Sequence, residues 1–322
     1  MKTNFNLKKY NTFNIDCFCD GFFEIKKEQD FFDFLKTNPK KILFLGNGSN
    51  LLFTKDFQGT VIYSNIKEIK EIKKTKSNIY LKVSSGYNWD DFVKYCVQNN
   101  YYGAENLSWI PGKIGGSVVQ NIGAYGMEIK DIVYSVDCIN IKDKKRQILL
   151  NKDCDFQYRS SIFKTKLKDH FILNVVFKVS LKESYVLEYM SFKNPTLKKM
   201  RQHILKIRKS KLPNPKEIGN AGSFFKNPII SKTKLNKIIK KYPSVPYFKV
   251  DNGYKIPTAW LLDKAGFKNR KYLKCGVYDK LPSIVININN ATGKEIYDFS
   301  QDIIKEIKEK FNISLEKEVI II

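Results

Sequence analysis

Residues 219–228 read GNAGSFFKNP, with one hydroxyl, Ser223, set among small residues and followed by Phe224 and Phe225. Gly219 and Gly222 allow a sharp turn or a close approach to a ligand, because neither carries a Cβ. A serine nucleophile needs a base to take its proton, usually histidine. The chain has two histidines, His170 and His203, both in segments unrelated to this loop. From these residues alone the task of Ser223 stays open.

Four further clusters could carry chemistry. GNGSN (46–50) follows the apolar run KILFL. Its backbone N–H groups could form a concavity for a pyrophosphate, or it could be a plain glycine turn. It is not the dinucleotide fingerprint, since no GxGxxG opens a helix. WIPGKIGGSVVQNIGAYGMEI (109–129) has glycines at 112, 115, 116, 123 and 126, interleaved with Ile114, Val118, Val119 and Ile122 and the amides Gln120 and Asn121. A structural turn needs one or two glycines; this density points to backbone pressed against a large flat or phosphorylated ligand. DFQYRSSIFK (155–164) holds Arg159 beside Tyr158, as an ion-pair anchor or as an electrostatic catalyst. In SLEKEVIII (314–322), Glu316 and Glu318 share one face of an expected strand, a position that is usually just solvent-facing.

The elements that must position these residues follow from periodicity. Strands are expected at 41–45, 60–65, 78–86, 132–141, 170–180 and 283–288, from apolar runs or alternation bounded by turns. NWDDFVKYCVQNN (88–100) places Trp89, Phe92, Val93, Cys96 and Val97 at helical spacing behind Asn88 as N-cap. TLKKMRQHILKIRKSK (196–211) is a basic amphipathic helix with Leu197, Met200, Ile204 and Ile207 on one face, stopped by Leu212-Pro213-Asn214-Pro215 at a domain junction. Further helices are expected near 231–241, over 257–266 between Pro257 and Gly266, and near 293–311. The class is α+β.

With 322 residues, 43% hydrophobic and 14% aromatic, the chain is long enough for two or three domains and too apolar for disorder. No run of 18 apolar residues occurs and the N-terminal MKTNFNLKKYNTF lacks the apolar core of a secretory signal, so no membrane span and a cytoplasmic protein are expected. The formal charge of +25 comes from lysines spread along the whole chain rather than from a patch, which argues against nucleic acid and suits an anionic, phosphorylated ligand equally well. The six cysteines form no CxxC pair, and with two histidines they complete no metal-ligand set. Cys17 and Cys19 fall on one strand face as small buried thiols. No metal is expected.

In order along the chain, NTFNI (11–15), GNGSNLL, IPGKIGGSVVQNIGAYG, YRSSIFK, KLPNP, GNAGSFFKNP, PTAWLLDKAG and LEKEV resemble the UDP-N-acetylenolpyruvoylglucosamine reductases (MurB) of bacterial peptidoglycan synthesis, over nearly the whole chain. The resemblance implies non-covalent FAD in a two-subdomain fold of the vanillyl-alcohol-oxidase (PCMH) type, plus a C-terminal α+β substrate-binding domain. The corresponding limits are 1–66, to which 314–322 returns, then 67–212, and 213–313. It implies Asn47, Gly48, Ser49 and Asn50 at the pyrophosphate, and Ile110, Gln120, Asn121, Ile122 and Gly123 near the flavin ring. NADPH would reduce the flavin, and UDP-N-acetylglucosamine enolpyruvate would then accept a hydride at C3.

The positions matching the family's catalytic residues are Arg159, Ser223 and Glu318, with Ser223 as the proton donor to C2. Those matching substrate contacts are Tyr189, Lys211 and Asn227, with YVLEYMSF (185–192) resembling the longer, type I branch. The chain departs from the resemblance in CGVYDKLPSIVINI (275–288), where Lys280, Leu281 and Pro282 replace a stretch that often carries Gln or His. A monomer is expected. A flavin oxidase of the same fold is the other enzymatic reading. Such enzymes often attach flavin through His or Cys, and neither occurs in 46–50 or 109–129.

Overall fold

The computed structural model describes residues 1–37, 39, 41–188, 192–270 and 272–322, leaving aside the side chain of Asn269. Its contacts divide the chain into two compact units: Met1–Phe5, Cys19–Asn47 and Gln58–Ser210 in the first, and Asn6–Phe18, Gly48–Phe57 and Lys211–Ile322 in the second.

The first unit is built on a five-stranded antiparallel sheet, in the order Arg146–Leu150, Val133–Asn140, His170–Ser180, Asn78–Ser84 and Ile69–Lys74. Helix Trp89–Gln98 covers one face. Asn88 caps it, accepting from the Asp91 N–H at 3.1 Å. Its apolar stripe, Trp89, Phe92, Val93 and Cys96, is fully buried in a cluster with Leu81, Val83, Val175 and Phe177. The Phe92 and Phe177 rings lie 4.5 Å apart. Each such side chain contributes about 1.5–3 kcal/mol through burial. A second sheet contains strand Ile42–Leu45 parallel to Phe57–Ser64, and helix Glu28–Leu35 packs Phe31, Phe34 and Leu35 against Ile62, Phe171 and Leu173. Helix Leu197–Lys211 buries Leu197, Met200 and Ile204. Arg201 ties that helix down with a bidentate pair to Asp90 at 2.6 and 2.8 Å.

The second unit centres on strands Gly219–Ser223, Leu281–Asn287 and Cys275–Tyr278, with a smaller sheet of Ile229–Ile230, Gly253–Lys255 and Phe248–Val250. Helix Gly293–Phe311 begins at a capping box of Thr292 and Glu295 and buries Ile296, Phe299, Ile303, Ile307 and Phe311. Helix Thr258–Ala265 follows Pro257 and ends on Gly266 at φ 88°, as its sequence implies. The N-terminal NTFNI segment joins this unit because the Phe13 carbonyl accepts from Asn287 Nδ2 at 3.0 Å, while Asn220 N–H donates to the Thr12 carbonyl at 2.8 Å.

Two elements differ from expectation. The glycine-rich stretch contains a helix, Ile114–Gln120, although glycine in a helix costs about 1 kcal/mol against alanine. The compensation is close packing: a Cβ on Gly115 would stand 3.0 Å from Ser85 Cβ. At the C-terminus the regular strand shrinks to Ile320–Ile321, parallel to Leu51–Leu52. Among the described residues Lys317 makes an isolated bridge to Phe225 rather than part of a regular strand. Glu316 is there exposed and pairs with Lys226, whereas Glu318 is half-buried.

Candidate active site

In the second unit, Ser223 ends the strand Gly219–Ser223, half-buried, and its hydroxyl meets the hydroxyl of buried Ser283 at 3.2 Å. The two glycines before it have separate jobs. Gly219 is pressed against the chain, with its Cβ position 2.3 Å from the Phe13 carbonyl oxygen. Gly222 adopts φ +69° with open space around it, and its N–H donates to Asn220 Oδ1 at 3.0 Å. Asn220 Nδ2 in turn donates to the Ile218 carbonyl at 2.9 Å, so one amide shapes the turn that presents the serine.

The next residues form a short ladder with the C-terminus. Glu318 N–H donates to the Phe224 carbonyl at 2.8 Å, and Lys226 N–H to the Glu316 carbonyl at 2.9 Å. Ser223 and Glu318 are thereby brought onto adjacent backbones. Asn50 belongs to the same arrangement: its Nδ2 donates to the Glu318 carbonyl at 3.2 Å, and its own carbonyl accepts from Ile320 N–H at 3.0 Å. Gly48 stands at φ +61° with its Cβ position 2.2 Å from the Tyr10 carbonyl oxygen, and its carbonyl accepts from Thr12 N–H at 3.3 Å. Ser49 is half-buried between them. Asn227 Oδ1 accepts the first helical N–H of Thr258 at 2.9 Å, which fixes its amide at the helix start. Lys211 is exposed at the end of its helix. Tyr189 lies outside the described residues.

In the first unit, Arg159 occupies a two-residue turn closed by reciprocal Gln157–Ser160 backbone bonds of 3.0 Å. It sits at φ +56°, strained for a side-chain-bearing residue, beside the Tyr158 ring. Its Nη2 donates to the Gly123 carbonyl at 2.9 Å, and a Cβ on Gly123 would lie 3.0 Å from Nη1. Gly123 is therefore the floor on which the guanidinium rests. Lys164 Nζ donates to the Arg159 carbonyl at 3.1 Å and to Gln120 Oε1, binding the turn to helix Ile114–Gln120.

Asn121 is fully buried at φ +45°; its Nδ2 donates to Glu128 Oε2 at 3.0 Å and to the Gln157 carbonyl at 2.9 Å. Ile122 is buried and accepts from Ile129 N–H at 2.8 Å. Ile110 packs half-buried on the core. Its neighbour Trp109 is held by Asp90 and by Arg208 Nε at 3.3 Å, and burial lowers the Arg208 pKa while Tyr125 opposes the shift.

The structure thus brings Gln120, Asn121, Ile122, Gly123 and Arg159 together in one unit, and Asn50, Ser223 and Glu318 in the other. It also reveals the partners of these residues: Ser283, outside the family motifs, at Ser223, and, within the motifs, Asn220 in the turn and Lys164 and Glu128 around Arg159. Only the serine in SIVINI, just after the departure at 280–282, could have flagged Ser283. No group of three metal-ligating side chains occurs among the described residues.

Unit one has leftovers that suit a phosphorylated cofactor. Among the described residues the Ser117 hydroxyl is buried without a hydrogen-bond partner, the Cβ direction of Gly116 opens on space, and the Lys113 ammonium is buried without a carboxylate. An anion fits that donor set.

A family model described as UDP-N-acetylenolpyruvoylglucosamine reductase, C-terminal domain, matches residues 214–322, and one described as FAD binding domain matches residues 24–145. The UDP-N-acetylenolpyruvoylglucosamine reductase of Flavobacterium johnsoniae is 40% identical, covering 100% of this chain and 99% of its own length. That of Buchnera aphidicola subsp. Baizongia pistaciae is 42% identical, with 100% of both covered. The crystal structure of UDP-N-acetylenolpyruvylglucosamine reductase from Thermus caldophilus superposes with a TM-score of 0.70 at 19% identity, covering 98% of this chain and 96% of its own, and so shares the fold.

Proposed function

The chain belongs to the UDP-N-acetylenolpyruvoylglucosamine reductase family, and on that premise we propose that it reduces UDP-N-acetylglucosamine enolpyruvate to UDP-N-acetylmuramate, a step of peptidoglycan synthesis, with FAD as its cofactor. The observation that carries the reading is similarity along the full length together with Ser223 and Glu318 on one short ladder. NADPH is the reductant in this proposal. Asn47, Gly48, Ser49 and Asn50 hold the pyrophosphate, and Ile110 and residues 120–123 line the flavin. The finer division of the chain at 66, 212 and 313, a monomeric state and a cytoplasmic location belong to the same proposal. No helix among the described residues is long and apolar enough to cross a membrane.

FAD, when bound, supplies the hydride that reaches C3 of the enolpyruvyl group. Negative charge then develops at C2 and spreads into the carboxylate, and it must be met by donors already in place. Arg159 suits this task because its orientation is set by the Gly123 carbonyl before any substrate arrives. Glu318 assists the same carboxylate by hydrogen bonding. Ser223 gives its proton to C2; a hydroxyl suffices because the enolate is a strong base. The Ser283 hydroxyl at 3.2 Å supports the role, since it can donate to the oxygen that Ser223 leaves charged. Lys211, Asn227 and Tyr189 hold the substrate diphosphate.

The test separates the half-reactions. Purified protein is yellow, NADPH bleaches the flavin anaerobically, and the enolpyruvyl substrate restores the colour. Ser223→Ala keeps reduction by NADPH near the wild-type rate and slows re-oxidation by about 10²–10⁴-fold, the range for a lost general acid. Equal loss in both halves would sink the proton-donor role, and a colourless protein that cannot be reconstituted with FAD would sink the whole reading.

A further inference from the structure

Lys113 directly precedes helix Ile114–Gln120, and its residue is 5% exposed. Its ammonium donates to the Ser64 carbonyl and lies 3.4 Å from the centre of the Tyr63 ring. No carboxylate pairs with it among the described residues. The charged groups that bear on it are Glu24 of strand Phe18–Ile25 and Lys67 beyond strand Phe57–Ser64. Glu24 is engaged with Asn65 and Lys26, and Lys67 repels. Buried ammonium groups are costly unless paired with an anion, and a ring face with one carbonyl replaces a counter-ion only in part. Burial, helped by the Lys67 charge and opposed by Glu24, accordingly lowers the Lys113 pKa to about 7.

The position of this unpaired cation is specific. Lys113 Cβ is 3.8 Å from the Cβ position of Gly46, at the head of the GNGSN turn. One turn along its own helix lie the open side of Gly116 and the partnerless Ser117 hydroxyl. A buried cation, an orphaned hydroxyl and an unobstructed glycine thus share one short stretch beside a glycine turn. A lysine that served packing alone would be better replaced by an apolar side chain of the same length.

We propose that Lys113 is a cofactor-binding residue that supplies the counter-charge to the diphosphate of FAD and takes up a proton as the cofactor binds. The inference rests on the reading that this chain binds FAD, and adds a residue and a proton to it. An anion beside the ammonium raises its pKa in the bound form. Below pH 7 the lysine is charged with or without cofactor, and affinity is flat. Above pH 7 the free protein must first gain a proton, so affinity falls by up to about tenfold per pH unit until the bound form also titrates.

The experiment is titration of FAD-stripped full-length protein with FAD, by calorimetry in phosphate and in Tris at pH 8 and by flavin fluorescence from pH 6 to 9. The wild-type protein takes up nearly one proton per FAD at pH 8, and its Kd rises with pH above 7. Lys113→Met removes the uptake and raises Kd by about 10–100-fold, the size of a lost charge-assisted hydrogen bond. Lys113→Arg, which stays charged, binds FAD with a flat pH profile. Lys113→Met binding as tightly as wild type, with the same proton uptake, overturns the inference while leaving FAD binding intact. Should Lys113→Met fail to fold, a wild-type protein that binds FAD without taking up a proton overturns it equally. Failure of the wild-type protein to bind FAD refutes the parent reading instead.

Discussion

Replacing Gly48 by alanine isolates how much the GNGSN turn depends on a single missing atom. Gly48 has φ +61°, where a Cβ costs about 1–2 kcal/mol. That Cβ would also stand 2.2 Å from the Tyr10 carbonyl oxygen and 2.7 Å from Asn11 Cα. Both obstacles are backbone, and that backbone is held: Asn11 Nδ2 donates to the Leu7 and Ile15 carbonyls at 3.0 and 2.9 Å, and Asn11 Oδ1 accepts from Ile15 N–H at 2.9 Å. Forcing such a contact apart adds about 1–3 kcal/mol. The sum, about 2–5 kcal/mol, lowers Tm by about 3–7 °C for a chain of this size. Two controls divide the cost. Gly222→Ala at φ +69° meets no neighbour and carries only the conformational part, while Gly46→Ala meets nothing nearer than 3.8 Å and is close to neutral. Differential scanning calorimetry of the three variants gives the order Gly48, Gly222, Gly46, and flavin absorbance gives their FAD content. A Tm loss for Gly48→Ala no larger than that for Gly222→Ala would refute the role of the Tyr10 contact.

Further expectations concern other parts of the molecule. All six cysteines are free and buried, and burial pushes the Cys138 and Cys154 thiols up to about 12 and Cys275 to about 11, so Ellman's reagent at pH 8 titrates none in the native protein and six after denaturation. Lys274, with help from Thr292, holds the Glu295 carboxyl down to about 2; its contribution is present above its ordinary value of 4.5 and is lost as pH falls towards 2, so Glu295→Gln flattens the Tm-against-pH curve in that window. Asn121→Gly keeps the left-handed turn but loses the bonds to Glu128, Gln157 and Lys130, at a cost of about 1.5–4 kcal/mol. Because Gln157 closes the Arg159 turn, the same variant slows re-oxidation of the flavin by substrate in stopped-flow measurements.

Local chemistry carried much of the architecture. Asn88 caps its helix, Pro257 and Gly266 bound theirs, and the stripes of 89–98 and 293–311 face the core, because each depends on residues a few positions apart. The glycine-rich stretch was legible as unusual but not as a helix, since its reason lies in Ser85, in the turn that follows strand Asn78–Ser84. The order of motifs along the chain sufficed to place it in its family, and relatives at 40% and 42% identity match it along its whole length.

What the amino-acid sequence determined by itself was therefore the set of elements, the family and the residues that can do chemistry. What only the tertiary structure decided was which backbone atoms press on Gly48 and Gly219, that Ser283 stands at Ser223, that Gly123 supports Arg159, and that Lys113 is buried without a counter-ion among the described residues. The physical reason is common to all four. Periodicity and caps are short-range properties written in side-chain types, whereas a carbonyl oxygen at a given distance, or the removal of water from an ammonium, depends on chain segments far apart in sequence.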